Sequence, residues 1–282
     1  MGLLRPIEVG VKRAWIDTCW TASQYAASWL DPPAAAFYGR LLDEAYLPDY
    51  LINVIPTHDL IYISVPKAAS TRIRMTLAAV TGRFSLTLKF SQWPKPRGPQ
   101  GPRSMTVRSF YRLAMNPATL RFAFVRNPYA RMVSCWADKY KDKPLVPGDP
   151  YVQLYLAKRK EIDSSLPAGG DRTLSFGDFV TFAAAVACLR YDIHLQVQDD
   201  LLSIPGLTLD FVGKVENFSE DFVRVLDHVK ARDRIRREAL APLNKSSHEH
   251  WSKYYTPDLA DRIYRAHECD FDRFAYARKW SA

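Results

Sequence analysis

Asp59 to Val80 reads D-L-I-Y-I-S-V-P-K-A-A-S-T-R-I-R-M-T-L-A-A-V, and the reading of this stretch decides the fold. Leu60 to Val65 is a nearly unbroken apolar run of strand length, the pattern of a strand buried on both faces. Pro66 to Thr71 forms a tight loop, and a helix follows to about Val80, closed by Gly82 and capped by Ser70 or Thr71. A strand feeding a helix holds phosphate well, because the first helical turn has backbone N–H groups with no intrahelical partner. Within the loop Lys67 supplies a flexible point charge. Ala68 and Ala69 let the backbone come close, and Ser70 and Thr71 add hydroxyls. The G-x-x-x-x-G-K-[ST] signature is missing, so this is not an ATPase loop. Taken alone, a plain strand–turn–helix with a surface lysine explains the stretch equally well.

A second unit of the same kind lies downstream. Arg121 to Val125, R-F-A-F-V, is a short strand that runs into Arg126-Asn127-Pro128. Asn suits the cap and Pro the first helical position, and Tyr129, Met132, Val133, Trp136 and Tyr140 then recur at helical spacing. Further along, the pattern predicts helices at Val152 to Ile162, Phe179 to Leu189, Glu220 to Lys230 and Asp258 to Phe274, and a strand at Asp210 to Val215. Strands alternating with helices give an α/β class: a P-loop-like three-layer fold with a central, mostly parallel sheet and extra helices at both ends. Such sheets bind ligands at the carboxyl ends of their strands. The 282 residues read as a single domain, with a helical extension over 1–55 and a binding core over 56–282.

V-P-K-A-A-S-T and F-V-R-N-P-Y-A-R-M-V-S together resemble the two nucleotide-binding motifs of sulfotransferases that use 3′-phosphoadenosine 5′-phosphosulfate (PAPS). The likeness is nearest to the carbohydrate sulfotransferases. F-V-G-K-V-E-N-F-S-E-D-F (Phe211 to Phe222) is similar to a further segment of that family. L-N-K-S-S-H-E-H-W-S-K-Y-Y-T-P-D-L (Leu243 to Leu259), followed by D-F-D-R-F-A-Y (Asp270 to Tyr276), is similar to its C-terminal tail. The resemblance implies that Lys67, Ala68, Ala69, Ser70 and Thr71 hold the 5′-phosphosulfate and that Arg126 and Ser134 hold the 3′-phosphate. It further implies transfer of a sulfuryl group to a hydroxyl of a carbohydrate or glycolipid, with Lys67 steadying the leaving group and no metal required.

The family pattern has one gap. Several relatives place a His or Glu between the two motifs to take the acceptor's proton, yet no His, Asp or Glu occurs from Arg72 to Arg121. His194, in I-H-L-Q-V-Q, is similar to a His-x-x-x-Gln element of some carbohydrate sulfotransferases and is the candidate base. A structural histidine explains it as well. His58 precedes the first strand and so belongs at the wrong end of the sheet, and His248 and His250 are weaker candidates. Glu216 reads as a fold-organising partner for a cation.

Charge is concentrated. The net charge is +9, and Arg72 to Arg121 alone carries ten Lys/Arg, so subtracting those ten leaves the remaining chain at about −1. Such a stretch either draws in an anionic glycan acceptor or lines the nucleotide's own site and a solvated loop. Its Pro/Gly-rich part, residues 91–104, reads as a flap or insert. The aromatic stacking motifs of nucleic-acid modules are not visible, so no nucleic-acid partner is expected. Cys19, Cys135, Cys188 and Cys269 lie far apart and read as free thiols. No run has the length of a membrane span. Trp15, Trp20, Tyr25 and Trp29 recur at roughly helical spacing, which fits either peripheral membrane contact or packing on the domain. A cytoplasmic enzyme is the expectation. The alternative from another class is a non-catalytic nucleotide- or polyanion-binding protein on the same fold.

Overall fold

One sheet runs in the order β1 (Ile52–Ile55), β2 (Leu60–Ile63), β3 (Leu120–Val125), β4 (Phe211–Lys214). The computed structural model describes residues 21–44, 47–82, 101–241 and 249–280, of which 21–30 are helical (α1) and Pro48–Leu51 forms the short helix α3 before β1. β1 and β2 pair antiparallel, joined by a single 3-10 turn (Pro56–His58) that exits through Asp59 at φ 44°. β2, β3 and β4 are mutually parallel, with Leu60 opposite Leu120 and Val125 opposite Lys214. The parallel strands read as apolar runs because both faces are covered. Ile61, Ile63, Ala123 and Val125 pack with α2 (Pro32–Glu44) and α5 (Val107–Met115). Leu60, Tyr62, Phe122 and Phe124 point the other way, against α4 (Ser70–Val80), α10 (Phe218–His228) and α11 (Asp233–Leu240). This period-two division gives helix, sheet and helix as three layers.

A third apolar cluster contains no strand residue. It joins α6 (Pro128–Lys139), α7 (Pro150–Ile162), α8 (Phe176–Val186) and α12 (Pro257–Ala266). α6 carries the chain from β3 into this helical layer. Its start is secured as expected: the Asn127 side chain accepts from the N–H groups of Tyr129 and Ala130, and Pro128 occupies the first turn.

Several elements differ from expectation. β1 begins at Ile52, inside the stretch expected to be a helical extension over 1–55, because Ile52 to Ile55 add an antiparallel edge to β2. β2 ends at Ile63, not Val65; Ser64 still bonds across to the Leu51 carbonyl (2.8 Å) before the chain turns at Pro66. Neither Ser70 nor Thr71 caps α4. The cap is Ala69 in the left-handed region (φ 57°), with no side-chain hydrogen bond. The helix expected over Asp258 to Phe274 is two, α12 and α13 (Glu268–Arg273), broken at the wholly buried His267. The other helices hold with shifted ends: α7 starts at Pro150 behind an Asp149 cap, and α8 spans Phe176–Val186. Trp15, Trp20, Cys19, His248 and residues 91–100 of the basic loop lie outside the described residues. No helix among the described residues is long and apolar enough to cross a membrane.

Candidate functional site

The site lies where the three parallel strands end. β2 delivers Pro66 to Ala69, β3 delivers Arg126 and Asn127, and β4 delivers the 3-10 turn Val215–Asn217. In the first loop both Lys67 (φ 67°) and Ala69 (φ 57°) sit in the left-handed region. For residues with a Cβ this costs on the order of 1–3 kcal/mol each and persists only where the surroundings hold it. Ala68 between them is wholly buried, which draws the backbone close to the sheet. Ser70 is half-buried and Thr71 exposed in the first turn of α4, where the N–H groups have no intrahelical partners. The loop therefore offers donors and one ammonium but no carboxylate of its own, which suits an anion.

The two motifs meet directly. The Arg126 guanidinium donates to the Lys67 carbonyl (Nη1–O 3.4 Å). Burial pulls the Arg126 pKa down, and the nearby Glu216 and Tyr276 oppose that. Gln198, in α9 (Gln198–Leu202), clamps the Arg126 backbone from both sides: its Oε1 accepts from the N–H (3.0 Å) and its Nε2 donates to the C=O (2.9 Å). Gln198 is held in turn by the buried Asp270, which accepts from its backbone N–H (2.9 Å) and from that of Asp199 (2.7 Å). Glu216 faces Arg126, yet its hydrogen bonds go to the Asn127 N–H (2.8 Å) and the Tyr276 hydroxyl (3.0 Å). The C-terminal segment thus braces the second motif at two points. Ser134 lies half-buried on α6, and among the described residues no hydrogen bond ties its side chain to either motif.

Arg131 was not singled out by sequence, yet among the described residues it is the largest fully buried side chain. It donates to the carbonyls of Pro66 (3.1 Å), Ile193 (3.1 Å) and Gln196 (2.8 Å). One guanidinium thereby fastens the first loop to the turn that carries His194. The available signal was the second arginine of R-N-P-Y-A-R, set in a helix whose other residues are mostly apolar.

Beside the loop the Lys67 ammonium pairs with Asp138 (Nζ–Oδ2 3.1 Å), and the same oxygen is 3.0 Å from the Lys139 ammonium. Burial pushes the Asp138 carboxyl up, but the Lys67 charge and hydrogen bonds from both lysines outweigh it and hold the pKa at about 2. Lys139 lies over the Tyr151 ring, 4.1 Å from its centroid. The Tyr151 ring meets that of His194 edge-on, with centroids 5.2 Å apart. His194 Nδ1 is 2.8 Å from Asp192 Oδ1. A donor N–H at Nδ1 leaves Nε2 as the basic nitrogen. Asp138, Lys139 and Tyr151 were missed by sequence because they act only through contacts between α6, α7 and the first loop.

The remaining candidates lie elsewhere. His58 is in the 3-10 turn before β2, at the opposite end of the sheet as expected, and its carbonyl receives the His228 ring (3.0 Å). His250 engages the Ser252 hydroxyl (2.8 Å) and starts a 3-10 turn. Much of the basic stretch is engaged locally: Arg72 with the Ala239 and Ala241 carbonyls, Arg74 with the Tyr50 carbonyl, Arg103 with Asp49, Arg108 with Asp31 and Arg121 with Asp210. Arg83, Lys89, Lys95 and Arg97 lie outside the described residues. Cys135, Cys188 and Cys269 are free thiols. Among the described residues no group of three or more His, Cys, Asp or Glu is arranged to hold a metal ion.

Residues 50–277 match the Sulfotransferase family. Among curated proteins, the chain is 23% identical over 235 residues to carbohydrate sulfotransferase 11 of Mus musculus, covering 78% of this chain and 65% of that protein. It is 23% identical over 267 residues to carbohydrate sulfotransferase 12 of Mus musculus, covering 82% and 62% respectively. It is 24% identical over 240 residues to carbohydrate sulfotransferase 8 of Mus musculus, covering 82% and 57%. The chain therefore spans less than two thirds of the length of these relatives. No solved structure matches it significantly. With that match running from the helix before β1 to the C-terminal segment that braces Arg126, the chain belongs to the sulfotransferase family.

Proposed function

We propose that the protein transfers a sulfuryl group from PAPS to a hydroxyl of a carbohydrate or glycoconjugate. The observation that carries this reading is the contact of Arg126 with the Lys67 carbonyl, which sets the two anion-binding motifs side by side at the ends of adjacent parallel strands. The residues present suit the donor: a strained loop ending in the free N–H groups of α4, the Lys67 ammonium, and a half-buried Arg126. Lys67, Ala68, Ala69, Ser70 and Thr71 would hold its 5′ end, and Arg126 with Ser134 its 3′-phosphate. When bound, the donor supplies an activated sulfuryl group whose leaving oxygen gains negative charge as transfer proceeds. Lys67, which in this structure pairs with Asp138, would place its positive charge at that oxygen. His194, with Nδ1 turned to Asp192, presents Nε2 to take the acceptor's proton. The names of the relatives support a carbohydrate acceptor.

Adenosine 3′,5′-bisphosphate should raise the melting temperature while ATP does not, and labelled sulfate should pass from PAPS into hydroxyl acceptors. Lys67→Ala should lower turnover by about 100-fold or more while changing bisphosphate affinity only a few-fold. Near-normal turnover in that variant would remove Lys67 from the chemistry. Bisphosphate binding without transfer to any acceptor would identify the non-catalytic binding protein instead.

A further inference from the structure

Sulfuryl transfer has two ends, the leaving oxygen and the attacking oxygen, and negative charge on the sulfuryl oxygens lies between them. In this structure a second ammonium group, that of Lys139, lies beside the Lys67 ammonium. Lys139 Nζ and Lys67 Nζ contact the same oxygen of Asp138, at 3.0 and 3.1 Å, so the two nitrogens are separated by no more than about 6.1 Å, the sum of those distances. On its other side Lys139 rests on the Tyr151 ring, which abuts His194. The order of contacts is Lys67, Asp138, Lys139, Tyr151, His194. We infer that Lys139 is a second catalytic cation, set between Lys67 and His194 so that its ammonium faces the sulfuryl group during transfer.

The inference rests on the PAPS-dependent reading above and assigns a residue that neither motif contains. Lys139 is as sheltered as Lys67, with side-chain exposures of 18% and 16%, and the Tyr151 face restricts where its ammonium can go. The Asp138 carboxylate marks the point where both ammonium groups converge on one anionic oxygen. Asp138 itself is half exposed (51%) and can turn to solvent when a sulfuryl oxygen takes that place. In the transfer the bond from sulfur to the bridging oxygen breaks and its electron pair stays on the phosphate. A lone pair of the acceptor oxygen forms the new bond to sulfur, and that oxygen's proton passes to His194 Nε2. Lys139 exchanges no proton. It offsets charge on the sulfuryl oxygens as sulfur moves from the Lys67 end toward the His194 end.

Lys139→Gln and Lys139→Arg test this with three readouts: bisphosphate affinity by calorimetry, labelled sulfate transfer from PAPS to desulfated polysaccharide, and acceptor-independent release of sulfate from PAPS. The bisphosphate lacks the sulfuryl group, so its affinity should stay within about threefold of wild type in both variants. Turnover should fall about 100-fold in Lys139→Gln and recover at least tenfold in Lys139→Arg, which keeps the charge. The acceptor-independent reaction should fall in parallel. Turnover within threefold of wild type in Lys139→Gln would overturn the inference. So would equal losses in Gln and Arg, or a loss of bisphosphate affinity as large as the loss of rate, which would mark a structural role. If Lys139→Gln melts early, Lys139→Arg decides by itself: turnover within about tenfold of wild type with bisphosphate affinity kept within about threefold supports the charge, and a larger loss of rate, or a loss of affinity matching it, refutes it. Wild-type protein that binds no bisphosphate would instead sink the PAPS reading, an outcome separate from these.

Discussion

Replacing Arg131 by methionine removes a buried cation while keeping much of its volume. Three carbonyl oxygens, of Pro66, Ile193 and Gln196, lose their donor, and two carboxylates that the guanidinium faces, Asp270 and Asp192, lose a compensating charge. Both carboxyls are buried, which raises their pKa, yet hydrogen bonds and the Arg131 charge hold them below the ordinary value. A hydrogen bond to a charged group contributes about 1.5–3 kcal/mol, and breaking a buried ion pair from one side costs about 3–5 kcal/mol. The contributions overlap, so a loss of about 4 kcal/mol is expected, equivalent to roughly 10 °C in melting temperature for a chain of this size. Arg131→Lys should lose about half as much, because one ammonium cannot reach three carbonyls that a planar fork serves together. Differential scanning calorimetry and urea midpoints measure both. A Met variant that unfolds cooperatively within about 2 °C of wild type would refute the claim that Arg131 ties the first loop to the His194 turn.

Two further perturbations follow from the same geometry. A Cβ on Gly213 would lie 2.6 Å from the Phe124 ring, inside the core between β3 and α10, so Gly213→Ala should destabilise by about 1–3 kcal/mol; an unchanged melting temperature would show that Phe124 can move. Asp138 has its pKa drawn down from 3.8 to about 2, so its stabilising contribution is present above the ordinary value and lost as pH falls through the lowered one. The melting-temperature difference between wild type and Asp138→Asn should therefore shrink as pH is lowered from about 4 to about 2. A difference constant with pH would mean that the carboxylate contributes nothing through its charge.

Local pattern carried much of the outline. The apolar runs at Leu60 and Arg121, each followed by a turn and an amphipathic helix, predicted two strand–helix units, and Asn127-Pro128 marked the start of α6, because caps and periodicity act within a few residues. The same local reasoning misplaced the start of α4. It looked for a hydroxyl cap, whereas Ala69 turns into the left-handed region with no side-chain bond at all. It also merged α12 with α13, since nothing in the periodicity marks His267 as a residue to be buried beside Asp270.

By itself the sequence determined the α/β class, the two strand–turn–helix segments around Lys67 and Arg126, and the family to which their motifs belong, because each of these is written in short spans of chain. Tertiary structure alone decided what surrounds them. Residues distant along the chain, Lys67 and Asp138 or Arg126 and Gln198, become neighbours only once the parallel strands are in register and α6 has crossed into the helical layer. Arg131 shows the reason most plainly. A lone arginine in an apolar helix is unfavourable until three carbonyls from two separate loops converge on it, and no feature local to the helix encodes that convergence.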